Sequence, residues 1–267
     1  MQIDFKKKKL YLLDMDGTLY LDDYLFEGSK RFLKLVTDNG GHYVFLTNNS
    51  SKGVDAYIEK MHKLGIVTCA DDYVTSVDAT IAYLQKYHEG KLCYILGTKS
   101  FYEQLTSAGI NTTQERSDDV DVLVMGFDTE LTFKKLEDAC ILLKKDIPYI
   151  AANPDWVCPT AYGYVPDCGS VALMLKNATG KWPKFIGKPG TAMIDLAIEK
   201  FNSTPAESVL IGDRVYTDIA AGNNAGIDTI MVLSGEGTVK ETEERKIFPT
   251  IILDHIGVVA DLIENSK

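Results

Sequence analysis

Short apolar runs alternate with longer amphipathic segments along most of the chain. Four runs are apolar on both faces and therefore predict buried strands of a parallel sheet, at 10–14, 42–47, 209–213 and 228–233. Two segments place apolar residues at helical spacing and predict covering helices, at 52–65 and 191–201. Strands that alternate with helices favour an α/β fold, a doubly wound parallel sheet with helices on both faces.

The middle of the chain shows the same pattern a second time. Strand-like runs occur at 91–97, 120–127 and 147–153, and helical stretches separate them near 78–87, 99–108, 132–145 and 170–179. Glycine and proline mark a join at 179–185, and a second join is expected near 75–80. We therefore predict a core domain in two parts, 1–78 and 184–267, interrupted by an inserted α/β domain at 79–183.

Composition and charge narrow the functional classes. Of the 267 residues, 45% are hydrophobic and 25% are charged, which is typical of a soluble globular protein. The formal net charge of −10 disfavours a nucleic acid polymer or an anionic membrane as partner. No apolar stretch approaches the ~18 residues that span a bilayer. An odd number of cysteines, five, without a C-x-x-C pair, favours a reducing compartment. We expect a cytoplasmic protein.

Unusual polar residues follow the predicted core strands at the points where the strands end. They are Asp14 and Asp16 in "DMDGT", Thr47 and Asn48 in "LTNNS", Lys188 in "FIGKPG", and Asp213 and Asp218 in "GDRVYTD". Each of them alone has an ordinary explanation as a turn residue, a helix cap or a solvated side chain. Because the carboxyl ends of parallel strands share one edge of a sheet, we expect all four segments to form a single site.

Four carboxylates beside one lysine would give this site a strongly negative charge that is costly to bury. A hard divalent cation with oxygen ligands would offset that charge, and Mg²⁺ commonly bridges carboxylates to a phosphate. The four histidines show no metal-ligand spacing, which disfavours zinc or iron. The sequence therefore predicts Mg²⁺ as the cofactor.

In this order, "DMDGT", "LTNNS", "GKP" and "GDRVYTD" resemble the four motifs of the haloacid dehalogenase-like phosphatase superfamily. The long insertion between the second and third motifs is similar to the cap of subfamily IIA. "AANPD" (151–155) and "PDCGS" (166–170) resemble the caps of NagD-like and 4-nitrophenylphosphatase-like members. The resemblance implies a Rossmann-like core with an inserted α/β cap. It also implies Mg²⁺-dependent hydrolysis of small phosphomonoesters, such as nucleoside monophosphates or sugar phosphates.

The same resemblance implies roles for the motif residues. Asp14 would be the nucleophile that forms an aspartyl-phosphate, and must stay ionised. Asp16 would protonate the leaving alkoxide and then deprotonate the hydrolytic water, which requires a raised pKa. Mg²⁺ would be held by the Asp14 carboxylate, the Asp16 backbone carbonyl and the Asp213 carboxylate. Asp218 would either lie behind the direct ligands of the cation or orient Lys188. Lys188 would neutralise the negative charge of the phosphoryl group. The phosphate would be gripped by Thr47 and Asn48, together with amides at the following helix start near 52.

The inserted cap would close over the site and recognise the leaving group. Asn153, Asp155 and a loop from Trp156 to Tyr164 are the candidates for that contact. The alternative is a structured cap loop in which Trp156 and Tyr162 pack for stability. The stretch "LSGEGT" (233–238) is expected to be a turn near the mouth of the site.

Two other functions remain open at this stage. A phosphotransferase or mutase would use the same aspartyl-phosphate and pass it to a sugar hydroxyl. A non-enzymatic phospho-acceptor, like a receiver domain, would hold the phosphate on Asp14 and would not need Asp16. The expected partner is a small phosphorylated metabolite, whose identity the sequence does not give. A homodimer through the cap surface is an open alternative to a monomer.

Overall fold

The structure is a computed structural model that describes residues 3–160 and 163–266. The strands, in chain order, are β1 (Leu10–Leu13), β2 (Tyr20–Leu21), β3 (Tyr24–Leu25), β4 (His42–Thr47), β5 (Tyr73–Thr75), β6 (Cys93–Leu96), β7 (Thr112–Thr113), β8 (Val122–Met125), β9 (Tyr149–Ala151), β10 (Val157–Thr160), β11 (Gly163–Pro166), β12 (Lys184–Phe185), β13 (Ser208–Gly212), β14 (Asp228–Val232) and β15 (Ile251–Leu253).

The helices are α1 (Ser29–Asp38), α2 (Val54–Lys63), α3 (Ser76–Tyr87), α4 (Lys99–Ser107), α5 (Phe133–Leu142), α6 (Cys168–Thr179), α7 (Ala192–Lys200), α8 (Ala220–Ala225), α9 (Val239–Arg245) and α10 (Ile256–Asn265). Short 3₁₀ turns lie at Phe5–Lys7, Ala70–Asp72, Leu143–Lys145 and Pro205–Glu207, and a wide π-type turn lies at Val215–Ile219. Within the described residues, no helix has both the length and the apolar character needed to cross a bilayer.

The chain divides into two compact units. Unit 1 comprises Met1–Thr47, Tyr57–Val74 and Lys188–Lys267, and unit 2 comprises Asn48–Ala56 and Thr75–Gly187. This division gives an α/β core that is interrupted by an inserted α/β unit, so the predicted fold class is confirmed.

Unit 1 contains a sheet with the strand order β15-β14-β13-β1-β4-β5. The pairs β1–β4, β1–β13, β13–β14 and β14–β15 are parallel. Every residue of β1 is buried, as the two-faced apolar run predicts. From β1 the chain builds first towards β5 on one side and later towards β15 on the other. This order places a topological switch point at β1 and β13, where doubly wound sheets bind their ligands.

Unit 2 contains a second sheet with the order β12-β9-β8-β6-β7, and its neighbouring strands are parallel. Its core is formed by β6, β8 and β9 packed against α5 and α6. The segment 48–56 belongs to this unit: the Asn48 carbonyl accepts from Ser76 Oγ at 2.8 Å, and Ser50 Oγ accepts from the Phe127 N–H at 2.7 Å. These bonds attach a segment that follows β4 to the inserted unit.

Unit 2 extends beyond the predicted inserted domain at both ends. Helix α3 begins at Ser76 behind a capping box, in which the Thr75 N–H donates to Asp78 Oδ2 at 2.7 Å. Strand β12 pairs with β9 through Lys184 and Ile150, so the second join is part of the inserted sheet. The division into 1–78, 79–183 and 184–267 itself stays a prediction.

The predicted loop from Trp156 to Tyr164 is wrong in part, because the structure has an antiparallel hairpin there. Strands β10 and β11 pair Cys158 with Val165 and Pro159 with Tyr164. Proline and glycine in two such short strands hide the strand pattern in the sequence. Tyr162, for which packing is an alternative role, lies outside the described residues.

Candidate active site

The candidate residues of unit 1 lie at the carboxyl edge of its sheet. Asp14 directly follows β1, and its N–H donates to the Ile211 carbonyl at 2.9 Å, so the pairing with β13 continues past the strand end. Asp213 directly follows β13. Leu13 pairs with Ile211 on one side and with Phe45 on the other. Three neighbouring strands therefore reach this edge of the sheet within two residues of one another, and Asp14 and Asp213 follow two of them directly.

Lys188 is a buried ammonium group among carboxylates, with an exposed fraction of 3%. Its Nζ donates to Asp14 Oδ1 and to Asp218 Oδ1, both at 2.7 Å, and to the Leu46 carbonyl at 3.2 Å. Hydrogen bonds between ionised partners are short and strong, and a buried ammonium group needs them. The structure therefore brings together Asp14, Lys188 and Asp218, which the sequence places in three separate segments.

Asp14, Asp213 and Asp218 surround a common space. One carboxylate oxygen from each lies within 4.8 Å of the others. Asp213 Oδ1 is buried, and it has no hydrogen-bond partner among the described residues. Hard oxygen donors at such spacing suit a divalent cation, which would also offset the repulsion between like charges. The residues present therefore fit a bound divalent cation such as Mg²⁺.

Burial determines the acid–base properties of these groups. Burial raises the pKa of Asp14 well above its ordinary value; Lys188 opposes this shift, and the carboxylates of Asp218 and Asp213 add to it. Burial, and next the charge of Asp218, raises the pKa of Asp213 to about 7. For Lys188, burial acts to lower the pKa, but Asp14 and Asp218 outweigh it and the pKa is raised. The Lys188 ammonium is thus charged at neutral pH, whereas the carboxyl groups of Asp14 and Asp213 need further positive charge nearby to ionise fully.

The wide turn Val215–Ile219 places the Asp218 side chain next to Lys188, although Asp218 lies six residues after the end of β13. The Arg214 carbonyl accepts from the N–H groups of both Asp218 and Ile219, at 3.0 and 3.2 Å. Asp218 Oδ2 in turn accepts from the Arg214 N–H at 3.1 Å, which leaves Oδ1 for Lys188. Widened turns of this kind are frequent at functional sites.

Asp16 is separate from the carboxylate cluster. Its side chain is 54% exposed, and Oδ1 lies 3.3 Å from Lys60 Nζ, which also stands 4.0 Å from the centre of the Tyr20 ring. Lys60 belongs to α2, and no motif in the sequence connects it with Asp16. Solvent can therefore reach the Asp16 carboxylate, in contrast to Asp213 and Asp218, each of which is 1% exposed.

The stretch 233–238 contacts the site directly, although the sequence suggests only a nearby turn. Ser234 Oγ donates to the Gly17 carbonyl at 2.7 Å, and the Glu236 N–H donates to Asp213 Oδ2 at 2.8 Å. Gly17 has φ +84°, and a Cβ there would lie 2.6 Å from Asp213 Oδ2, so the close approach requires glycine. The glycine-rich composition of 233–238 is the available sequence signal for this contact.

Thr47 and Asn48 occupy the end of β4 and the residue after it, and both are buried. Helix α2 begins at Val54, so the predicted helix start near 52 is early. The reason is a local turn, in which Asn49 Oδ1 accepts from the N–H and the hydroxyl of Ser51 at 2.9 and 2.8 Å. The phosphate contacts expected of Thr47 and Asn48 stay predictions.

Asn153 and Asp155 lie in unit 2 and are buried, with exposed fractions of 0% and 5%. Asn153 Nδ2 donates to the Asn48 carbonyl at 2.7 Å, and the Asp155 carbonyl accepts from the Gly169 N–H at 2.8 Å. These contacts favour a structural role in the inserted unit. Their predicted contact with the leaving group stays a prediction.

The chain is similar to known proteins over almost all of its length. Residues 11–111 match the family described as haloacid dehalogenase-like hydrolase, and residues 185–259 match the family described as HAD-hydrolase-like. The acid sugar phosphatase of Staphylococcus haemolyticus is 31% identical over 263 residues, which cover 98% of this chain and 99% of that protein.

Solved structures show the same relationship. The 4-nitrophenylphosphatase of Thermotoga maritima is 36% identical with a TM-score of 0.92, over 98% of this chain and 100% of that one. The glycerol phosphate phosphatase of Mycobacterium tuberculosis in complex with magnesium is 26% identical with a TM-score of 0.87, over 96% of this chain and 78% of that one. The chain belongs to the haloacid dehalogenase-like hydrolase family, and it is an enzyme of the phosphatase class, as are the three relatives described above.

Proposed function

We propose that this enzyme hydrolyses small phosphomonoesters with Mg²⁺ as cofactor, through an aspartyl-phosphate on Asp14. The observation on which this depends is the position of Lys188 Nζ, 2.7 Å from both Asp14 and Asp218, beside the cluster that includes Asp213. One ammonium group and a divalent cation at this place would offset the charge of a phosphoryl group as it approaches a carboxylate.

Asp14 is proposed as the nucleophile because it is the accessible member of the cluster. Its side chain is 18% exposed, whereas that of Asp218 is 1% exposed. A carboxylate oxygen of Asp14 forms a bond to phosphorus while the bond from phosphorus to the ester oxygen breaks, and the alkoxide leaves. Water then attacks the phosphorus of the aspartyl-phosphate and releases inorganic phosphate, which regenerates Asp14.

Asp16 is proposed as the group that moves protons in both steps. It follows Asp14 by two residues and its exposed carboxylate faces solvent. It gives a proton to the leaving alkoxide and takes one from the attacking water, so its protonation state is restored after each turnover.

The cation would be held by the Asp14 carboxylate, the Asp16 backbone carbonyl and the Asp213 carboxylate. When bound, Mg²⁺ supplies positive charge that favours the ionised form of Asp14 and neutralises phosphoryl oxygens. Asp218 keeps Lys188 in place, and Lys188 binds an equatorial oxygen of the phosphoryl group. Thr47 and Asn48 are proposed to hold the phosphate, and Asn153 and Asp155 to contact the leaving group.

The substrate class rests on the relatives. Their names specify sugar phosphates, glycerol phosphate and 4-nitrophenyl phosphate for those proteins. We propose a small phosphorylated metabolite of the sugar or polyol phosphate kind for this enzyme, with nucleoside monophosphates as the second choice. A cytoplasmic location is proposed because the five cysteines are all free thiols.

Phosphate release with Mg²⁺ tests this proposal. The panel should contain sugar phosphates, glycerol phosphate, nucleoside monophosphates, phosphoglycolate, pyridoxal phosphate and 4-nitrophenyl phosphate. Release of phosphate to water is expected, at rates that rank the sugar and polyol phosphates first. Transfer of phosphate to a sugar phosphate instead of water would support the mutase alternative. Phosphate that stays on Asp14 for minutes would support the phospho-acceptor alternative.

Asp14→Asn tests the assigned nucleophile. The matched control is Asp38→Asn, which makes the same chemical change on the exposed end of α1, where Asp38 pairs with Lys34. Asp14→Asn should abolish phosphate release and the acid-stable mass increase of a phosphorylated enzyme, while Asp38→Asn keeps both. Substantial turnover by Asp14→Asn would show that another residue attacks phosphorus.

A further inference from the structure

The residues 233–238, called here the Ser234 loop, connect β14 with α9 and join two parts of the site. Ser234 Oγ binds the Gly17 carbonyl at 2.7 Å, directly after the segment that contains Asp14 and Asp16. The Glu236 N–H binds Asp213 Oδ2 at 2.8 Å. None of these contacts belongs to the proposed chemistry, yet they decide where the Asp213 carboxylate can point.

The Ser234 loop forms a hydrogen bond with only one of the two carboxylate oxygens of Asp213. Oδ2 receives the Glu236 N–H, whereas Oδ1 is buried and has no hydrogen-bond partner among residues 3–160 and 163–266. A Cβ at Gly235 would collide with the Asp213 carboxylate, so the loop backbone lies against that side chain. A carboxylate fixed through one oxygen presents the second one to a ligand in a defined direction.

The Arg214 side chain holds this loop from the other side. Arg214 Nη2 forms an ion pair with Glu236 Oε1 at 3.1 Å, and the two side chains are 19% and 40% exposed. The Arg214 N–H also binds Asp218 Oδ2 at 3.1 Å. One residue thus contacts both the loop that fixes Asp213 and the carboxylate that holds Lys188.

We propose that Arg214 and Glu236 are positioning residues: their ion pair fixes the Ser234 loop on Asp213 and thereby sets the affinity of the site for its divalent cation. This inference rests on the proposed function, because it concerns the same cation. Neither residue needs to contact the substrate. Its consequence is that cation affinity depends on a pair of side chains outside the ligand set.

For Arg214→Gln, a purely electrostatic effect and a positioning effect predict opposite changes in the affinity for the cation. Arg214→Gln removes a positive charge near the cluster, so charge alone would tighten binding of a cation. Loss of the ion pair frees the loop and the Asp213 carboxylate, which weakens binding. Partners of metal ligands typically change metal affinity by about 10- to 100-fold when they are replaced. We expect the lower end, about 10-fold weaker binding, because the pair is partly exposed.

The experiment measures Mg²⁺ binding by calorimetry on the full chain without substrate. The variants are Arg214→Gln, Glu236→Gln, the double variant and Arg214→Lys. The double variant removes one charge of each sign, so charge alone predicts unchanged affinity, whereas positioning predicts a loss about as large as that of either single variant. Arg214→Lys keeps the charge and should recover part of the affinity.

Arg31→Gln is the matched control, since Arg31 pairs with Asp261 and Glu264 and binds the Gly257 carbonyl, none of which belongs to the site. Ser234→Ala, which removes the bond to Gly17, gives an independent result if Arg214→Gln does not fold, and it should also weaken binding. Circular dichroism of the cation-free proteins identifies misfolded variants.

The outcomes separate the two proposals. If wild type binds no divalent cation, the proposed cofactor and this inference are both wrong. If wild type binds Mg²⁺ while Arg214→Gln and the double variant bind it equally well or more tightly, only the positioning inference is wrong. Weaker binding by both, with Arg31→Gln unchanged, supports it.

Discussion

Replacement of Asp167 by asparagine should remove a pH-dependent loss of stability from unit 2. Asp167 is 4% exposed and caps α6, where its Oδ1 accepts from the Cys168 N–H at 2.5 Å. Burial raises the pKa of Asp167 to about 7; the Cys168 N–H opposes the shift, and the charge of Asp155 adds to it. The ionised form is therefore costly in the folded protein.

The sign and the size of the effect follow from linkage between protonation and folding. Below the ordinary pKa of 3.8, Asp167 is protonated whether the chain is folded or not, and no stability is lost. As pH rises towards 7, the unfolded chain releases the proton and the folded chain keeps it, so stability falls. Above the folded pKa the loss is complete, at about 4 kcal/mol, because each pKa unit corresponds to roughly 1.4 kcal/mol.

Asparagine keeps an amide oxygen that caps the helix but cannot ionise. We predict that Asp167→Asn matches wild type near pH 4 and exceeds it near pH 8 by up to about 4 kcal/mol in free energy of unfolding. Urea unfolding followed by circular dichroism at several pH values measures this, with Asp38→Asn as an exposed control. A difference between variant and wild type that does not change with pH would refute the reasoning.

Three further outcomes are expected. Lys188→Met should lower phosphate release by at least about 10³-fold, with folding retained, because the phosphoryl oxygens lose their ammonium partner; a tenfold loss or less would contradict its role. Gly17→Ala should destabilise the protein by about 1–3 kcal/mol in urea unfolding, since its φ is +84° and an added Cβ would meet Asp213. At the exposed Gly40 φ is +73°, but an added Cβ would lie more than 4 Å from the other described residues, so Gly40→Ala should show only the cost of the backbone conformation. EDTA should stop phosphate release, and Mg²⁺ at 100 times its dissociation constant should stabilise the cation-free enzyme by about 2.7 kcal/mol in thermal unfolding; unchanged turnover in EDTA would contradict a metal cofactor.

The sequence predicts those parts of the fold that depend on local pattern. The strands β1, β4, β13 and β14 are buried on both faces, except at the first residues of β4 and β14, and they form largely apolar runs in the sequence. Asp14 and Asp213 directly follow β1 and β13, so their meeting could be inferred from strand ends alone. Lys188 instead comes three residues after β12, and Asp218 lies in the wide turn after β13, so strand ends do not give their positions.

Features that depend on distant parts of the chain are not visible in the sequence. Strands of two or three residues, such as β5, β7, β12 and β15, have no periodicity to detect, and they exist because a neighbouring strand pairs with them. Lys60 meets Asp16 across 44 positions of sequence, and Glu236 meets Asp213 across 23. Such contacts arise from the packing of elements, for which one sequence provides no pattern.

The four aspartates of the site show how environment separates identical side chains. Asp218, at 1% exposure, binds Lys188 through one oxygen and a backbone N–H through the other, so it has no oxygen free for chemistry. Asp213 is as buried and keeps one oxygen, which suits a metal ligand. Asp14, at 18% exposure, combines the ammonium contact with access, and Asp16, at 54%, is the most exposed of the four. A phosphoryl group can reach only an accessible carboxylate, and a proton donor must exchange with solvent. The role proposed for each aspartate therefore follows from how exposed its carboxylate is. For Asp218 or Asp213 to react with a phosphoryl group, the site would first have to open.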